Sequence, residues 1–144
     1  GAIMDLDGSS QTVSGLSGDG LVTNGTLTVA GTLAAGGTNS IGTLTVAADL
    51  SLDGGELLVD AAAGGLCDLL DVKGSLDLDG GALRLHDPLQ LEVGKRYVIA
   101  TCAPGGLTGT LDPDFAGSGK WKVAYDTSSG TVTLVSKGLL IKVR

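Results

Sequence analysis

Leu50-Ser51-Leu52-Asp53-Gly54-Gly55-Glu56-Leu57 returns 26 residues later as Leu76-Asp77-Leu78-Asp79-Gly80-Gly81-Ala82-Leu83, with its leucines and its Asp-Gly-Gly kept in place. Side chains on a strand alternate between faces, so Leu76 and Leu78 turn one way while Asp77 and Asp79 turn the other. A pattern of period two ending in paired glycines predicts a short half-buried strand followed by a corner, because glycine reaches positive φ without strain. Asp5-Leu6-Asp7-Gly8 matches Asp77-Leu78-Asp79-Gly80 residue for residue and reads as a further partial copy.

Working outward, a second similarity has a shorter offset. Thr26-Leu27-Thr28-Val29-Ala30 recurs 17 residues later as Thr43-Leu44-Thr45-Val46-Ala47. Alternating apolar runs begin near residues 26, 33, 44, 50, 57, 69, 76 and 83, which predicts brief strands at about seven-residue intervals. The one stretch with helical spacing, Leu66-Cys67-Asp68-Leu69-Leu70-Asp71-Val72, is framed by Gly64-Gly65 and Gly74 and is read as strand. Only four aromatics occur, Tyr97, Phe115, Trp121 and Tyr125, so the first two thirds must build its core from aliphatic side chains. Thin layers filled by Leu, Val and Ile suit that supply. The expected fold is all-β: a short-stranded β-solenoid (parallel β-helix-like) body with an antiparallel C-terminal cap. An irregular β-sandwich is the alternative, since the offsets are unequal.

Charge divides the 144 residues in two. Residues 1–94 hold 13 acids and two bases, whereas residues 95–144 hold three acids and seven bases. The expected organisation is an acidic, Gly-rich β-repeat body over 1–94 and a basic, aromatic-containing cap over 95–144, within one folding unit. In the cap, Tyr97–Cys102 reads as a longer strand. Trp121–Tyr125 and Thr131–Val135 flank the turn residues Asp126–Gly130 as a hairpin, and Leu139-Leu140-Ile141 predicts a last strand. An acidic body repels phosphate backbones, which argues against nucleic acid. No apolar run approaches the roughly 18–20 residues of a membrane-spanning helix. Gly1-Ala2-Ile3-Met4-Asp5 lacks the basic and apolar regions of a signal peptide, and the chain reads as a mature or excised piece. Exposed sheet edges offer a route to homo-oligomers.

Gly25-Thr26-Leu27-Thr28-Val29 and Gly42-Thr43-Leu44-Thr45-Val46 resemble the GTLxV core of autotransporter-associated β-strand repeats. Leu69-Leu70-Asp71-Val72, with Gly74-Ser75-Leu76, is similar to the segment that follows such repeats in bacterial exported proteins. So is the closing run of Tyr97-Val98-Ile99, Gly106-Leu107-Thr108-Gly109, Val123, Tyr125, Val132 and Leu134. The resemblance covers about residues 22–135 and implies a secreted or outer-surface protein of a Gram-negative-type bacterium, with a β-helical passenger architecture. Such regions serve as stalks or adhesive surfaces. The family pattern carries no catalytic residues, and 144 residues leave no room for the membrane barrel of true autotransporters.

The catalytic candidates are carboxylates. Asp126-Thr127-Ser128 follows the apolar Val123-Ala124-Tyr125 and resembles the apolar-Asp-Thr-Gly signature of aspartic peptidases, with Ser128 in the glycine's place. Two carboxylates must share a proton there, so the partner would come from Asp5 or Asp7, or from a second copy. The ordinary reading of Asp126–Gly130 is a hairpin turn. Asp77 and Asp79, like Asp5 and Asp7, stand about 6.5–7 Å apart if they share one strand face, near the roughly 6.5–9.5 Å of inverting glycosidases. No aromatic sugar platform lies nearby, and a solvated outer face accounts for them. Asp77 and Asp79 are also weak metal candidates, because Asp-x-Asp-Gly opens a calcium loop whose later ligands are missing. His86 stands alone, which excludes multi-histidine zinc sites, and it reads as an exposed loop residue; no cofactor signature occurs. Cys67 and Cys102 are a disulfide candidate in an exported protein, with two buried free thiols as the alternative. The leading expectation is a non-catalytic β-repeat scaffold engaging host glycans or mucus glycoproteins. The competing one is a carboxylate-dependent hydrolase, aspartic-peptidase-like or glycosidase, acting on mucin-type glycoprotein.

Overall fold

Leucines at every second position can be buried only where other strands cover them, and here those strands come from later in the same chain. The computed structural model describes residues 3–36, 41–87 and 90–137, and they form an all-β fold. The strands are β1 (Ile3–Gly18), β2 (Leu21–Ala35), β3 (Thr43–Ser51), β4 (Glu56–Val59), β5 (Ala61–Ala62), β6 (Leu66–Cys67) and β7 (Leu69–Val72). They continue as β8 (Leu76–Asp77), β9 (Gly81–Leu85), β10 (Arg96–Thr101), β11 (Leu107–Thr108), β12 (Leu111–Pro113), β13 (Trp121–Asp126) and β14 (Thr131–Ser136). Among the described residues twelve strands make one mixed sheet, while β5 and β6 pair as a small hairpin outside it. The Leu66–Val72 stretch is extended, as the glycine frame predicts, and is split into β6 and β7 at Asp68. The expected strand at Leu139–Ile141 lies outside the described residues.

Parallel pairing carries most of the sheet. β1 runs parallel to β2; β2 to β3 and β4; β3 to β7 and β8; and β4 to β9. β7, β8 and β9 are then parallel to β10, β11 and β12 in turn. The register lines up three buried aliphatic files: Val22, Val46, Val72; Leu27, Leu50, Leu76, Leu107; and Leu33, Leu57, Leu83. Two antiparallel sheets packed face to face, the sandwich alternative, do not form. A period-two pattern alone does not distinguish parallel from antiparallel neighbours, so only the register decides between the two.

The two sequence offsets have different meanings. The 26-residue repeat is a true stacking register, because Leu50 pairs with Leu76 and Leu57 with Leu83. The 17-residue similarity is not: Thr26–Thr28 lies on Asp49–Ser51, and Thr43–Val46 lies on Leu69–Val72. Both Thr-Leu-Thr-Val segments carry the same in–out alternation, but they stand at different places around the layers.

Gly54 and Gly80, at φ of +74° and +76°, make the stacked corners of the Asp-Gly-Gly repeat. Gly55 has an ordinary φ and serves a different end: a Cβ there would sit 2.5 Å from the Val29 carbonyl oxygen and 2.6 Å from that of Gly31. The antiparallel part is confined to the end. β14 pairs with β10 and β13 with β14, as the hairpin signature predicts. Parallel stacking runs past residue 94 as far as Pro113, and one apolar cluster joins Leu6 at one end to Leu134 at the other. Trp121 is buried with its ring edge-on to Tyr97, centroids 6.0 Å apart. The Tyr125 hydroxyl closes the hairpin onto the stack, accepting from the Leu111 N–H at 2.7 Å.

Candidate functional site

Three of the carboxylates singled out from the sequence, Asp5, Asp77 and Asp126, hold backbone turns. Asp5 Oδ1 accepts from the Asp7 N–H at 2.8 Å and from Asn24 Nδ2 at 3.1 Å. Asp7 and Asn24 are the only non-glycine residues of the described chain at positive φ, 53° and 67°. Asp and Asn tolerate that region best among side chains, and Asp5 braces both, in adjacent layers. Asp77 Oδ1 accepts from the Asp79 N–H at 3.0 Å, the same turn at the matching corner. The chain therefore bends after Asp77, and the flat-strand spacing that suggested a glycosidase pair does not apply to Asp77 and Asp79 or to Asp5 and Asp7.

Asp126 closes the β13–β14 hairpin. Its Oδ1 accepts from the Ser128 N–H at 3.1 Å, the Ser128 hydroxyl at 2.7 Å and the Ser129 N–H at 3.2 Å. The Ser128 hydroxyl is the largest of the influences that hold its carboxyl below the ordinary aspartate value. Asp5 and Asp7 are on β1 and Asp126 on β13, strands that share no pairing, with β2, β3, β7, β10 and β14 between them in the sheet. The peptidase-like pair is thus not assembled within one chain. Among the described residues no three His, Cys, Asp or Glu side chains group as a metal site, and Asp77 and Asp79 are no exception.

Sequence reasoning passed over the one buried acid. Asp68 is 1 % exposed, and its two oxygens accept from Gly42 N–H at 2.9 Å and Asp60 N–H at 2.8 Å. The Asp68 N–H in turn donates to the Asp60 carbonyl at 2.9 Å, so the pair clasps the base of the β5–β6 hairpin. Burial is the main reason its carboxyl is raised above the ordinary value; the two backbone donors oppose that shift and the Asp60 charge adds to it. Asp60 also takes His86 Nδ1 at 3.0 Å, so the exposed histidine expected in a loop has a partner. A lone carboxyl inside Leu66-Cys67-Asp68-Leu69-Leu70 was the available signal, since buried acids are rare without dedicated donors.

Cys67 and Cys102 are both free. Cys67 donates to the Val98 carbonyl at 3.3 Å, while Cys102 follows β10, whose Thr101 pairs with Asp71. That register offsets the two cysteines by several strand positions of about 3.3 Å each, beyond the roughly 4.4–6.8 Å Cα separation a disulfide accepts. Burial, and then the Asp68 charge, push the Cys67 thiol up to about 12, which removes it as a thiolate nucleophile at neutral pH.

A hollow of about 480 Å³ opens beside β1 and is lined by Ile3, Met4, Leu16, Leu21, Val22 and Leu44, with Asp19 also in its wall. Outer polar residues also fall into files: Thr12, Thr28, Ser51, Asp77 and Thr108 stand in successive register, a row of hydroxyls and carboxylate across the strands. Beside it, Thr32 donates to Glu56 at 2.9 Å, and Arg84 lies 3.8 Å from Glu56 and 3.7 Å from Asp114. No helix of the described residues is long and apolar enough to cross a membrane. No protein-family model matches the chain, and a search of curated proteins finds no match either.

Proposed function

We infer that this chain is a non-catalytic β-repeat module of β-solenoid type, serving as a stalk or adhesive scaffold on the surface of a Gram-negative-type bacterium or in its secretions. The observation that carries the reading is the use made of the carboxylates. Asp5, Asp77 and Asp126 each accept a backbone N–H two residues on, and Asp68 accepts two N–H groups from separate segments. A catalytic pair needs two carboxyl groups converging on one hollow with their pKa values pushed apart. These acids are spread along the molecule and committed to turns. The parallel register supports the solenoid form, and the GTLxV segments support the likeness to autotransporter passengers. The outer file from Thr12 to Thr108 offers hydroxyls and a carboxylate to an extended, hydroxyl-rich ligand such as a host or mucus glycoprotein.

Two measurements on pure protein test the reading. Immobilised mucin should retain the protein, and Thr28→Ala with Ser51→Ala should weaken retention while leaving the circular dichroism spectrum unchanged. Incubation with mucin or casein at acid pH should release no fragments. Turnover that disappears in Asp126→Asn, or in Asp5→Asn with Asp7→Asn, would replace the scaffold reading with a hydrolase.

A further inference from the structure

Of the strands that pair on one side only among the described residues, β1 and β13 differ in charge and agree in direction. Among the described residues β1 pairs only with β2, and β13 only with β14. β1 is parallel to β2, and through β3 and β7 to β10; β14 is antiparallel to β10 and β13 is antiparallel to β14. Two reversals restore the direction, so β13 runs the same way as β1. A second copy stacked by translation would therefore lay its β1 parallel against β13 of the first, the pairing type that carries most of the sheet.

The surfaces at these edges are complementary. Beside β1 lie the exposed acids Asp5, Asp7 and Asp19 and the exposed apolar side chains of Ile3 and Met4, 69 % and 37 % accessible, at the mouth of the 480 Å³ hollow. Beside β13 lie the exposed lysines Lys120, Lys122 and Lys137, none of which makes an ion pair among the described residues. Asp126, the one acid on β13, is held by Ser128 and Ser129. Like charges facing one another disfavour β1-to-β1 and β13-to-β13 contacts, whereas β1-to-β13 brings acid to base.

We propose that this chain associates head to tail with further copies of itself, the β1 edge of one pairing in parallel with the β13 edge of the next. Such an interface is heterologous, so it leaves a free β1 and a free β13 at every stage and builds open linear assemblies rather than closed dimers. The partner is a second copy of the chain, and glycoprotein binding plays no part, so the mucin assay and this one fail separately.

Sedimentation velocity on the full chain tests it. At low salt the weight-average mass should climb past that of a dimer as concentration rises. Taking salt from about 0.1 M to about 1 M shortens the Debye length from about 10 Å to about 3 Å and should weaken association about tenfold. Lys120→Glu with Lys122→Glu, both exposed, should sediment as a monomer. Mixed with wild type, that variant should shorten the assemblies, because its intact β1 edge adds to a chain that its altered β13 edge then ends. Ile3→Lys with Met4→Lys should block the other edge, with the fold of both variants checked by circular dichroism. A wild type that stays monomeric at low salt, a mass that stops at a dimer, or association unchanged by the Lys120/Lys122 reversal would each overturn the proposal.

Discussion

Asp68 shows how one residue can look unremarkable in sequence and still govern a corner of the fold. Its two oxygens serve Gly42 and Asp60, groups 26 and 8 residues away, so its removal strands donors on two segments at once. A buried donor left without an acceptor costs about 1–3 kcal/mol. Asp68→Ala is therefore expected to lose about 2–5 kcal/mol in urea denaturation at neutral pH. Asp68→Asn, which keeps one acceptor and turns an amide N–H toward the other donor, should lose about 1–3 kcal/mol. The pH dependence has a definite sign. Burial raises this carboxyl in the folded state, so the folded chain holds the proton more tightly than the unfolded one. Its contribution to stability is greatest below the unfolded aspartate value, falls as pH rises through the raised folded value, and is flat above it. The stability difference between wild type and Asp68→Asn should shrink across that window. Asp126 acts in the opposite sense: its carboxyl is held low, so its contribution is present above the ordinary value and is lost as pH falls through the lowered one. A pair of denaturation series over acid pH that rise together for wild type and Asp68→Asn would show that Asp68 carries none of the slope.

At the scale of elements, the Asp-Gly-Gly corner separates two uses of glycine that the sequence writes identically. Gly54 needs its positive φ, but a Cβ there would meet nothing within 4 Å. Gly55 has room in φ and none in space, since its Cβ would press on the Val29 and Gly31 carbonyls. Gly54→Ala should thus cost about 1–2 kcal/mol, the usual expense of a left-handed alanine. Gly55→Ala should cost more, because two backbone segments must move apart to admit the methyl group. Thermal melts of the two variants rank them, and a Gly54→Ala that melts lower than Gly55→Ala would refute the assignment. The strands themselves were legible. Leu-x-Leu alternation located β3, β4, β8 and β9, paired glycines located their corners, and the turn residues Asp126–Gly130 located the β13–β14 hairpin. Which strand lies on which was only half legible. The 26-residue repeat equals a stacking register, but the 17-residue one does not, because local alternation fixes the face a residue takes and not its neighbour in the next layer. At the candidate site the turn at Asp126–Gly130 was legible, but the spacing of the other acids was not: Asp-x-Asp looks like two carboxylates on a flat strand, until the first accepts the second's N–H and bends the chain.

Over the whole molecule, the mixed sheet has edge strands at β1 and at β13, and the chain covers the apolar cluster beside them unequally. At the β1 end Leu6 is the only core residue that β1 buries fully, and Ile3 and Met4 face outward. At the other end Trp121 covers the last layer against Tyr97, whose hydroxyl donates to the Ala62 carbonyl at 3.2 Å and accepts from Glu92 N–H at 2.8 Å. The aromatics missing from the first two thirds are gathered where the parallel register stops, and a broad ring can cover more of an exposed layer than Leu or Val. Truncating that ring should behave as a core deletion. Trp121→Ala is expected to lose about 3–5 kcal/mol, read as a lower urea midpoint. Because Trp121 packs on Tyr97 of β10, amide exchange should quicken first in β10, β13 and β14 and last in β3 and β7. Loss of protection that begins instead at β3 and β7, or a variant that melts like the parent, would mean that the layers hold together without their aromatic end.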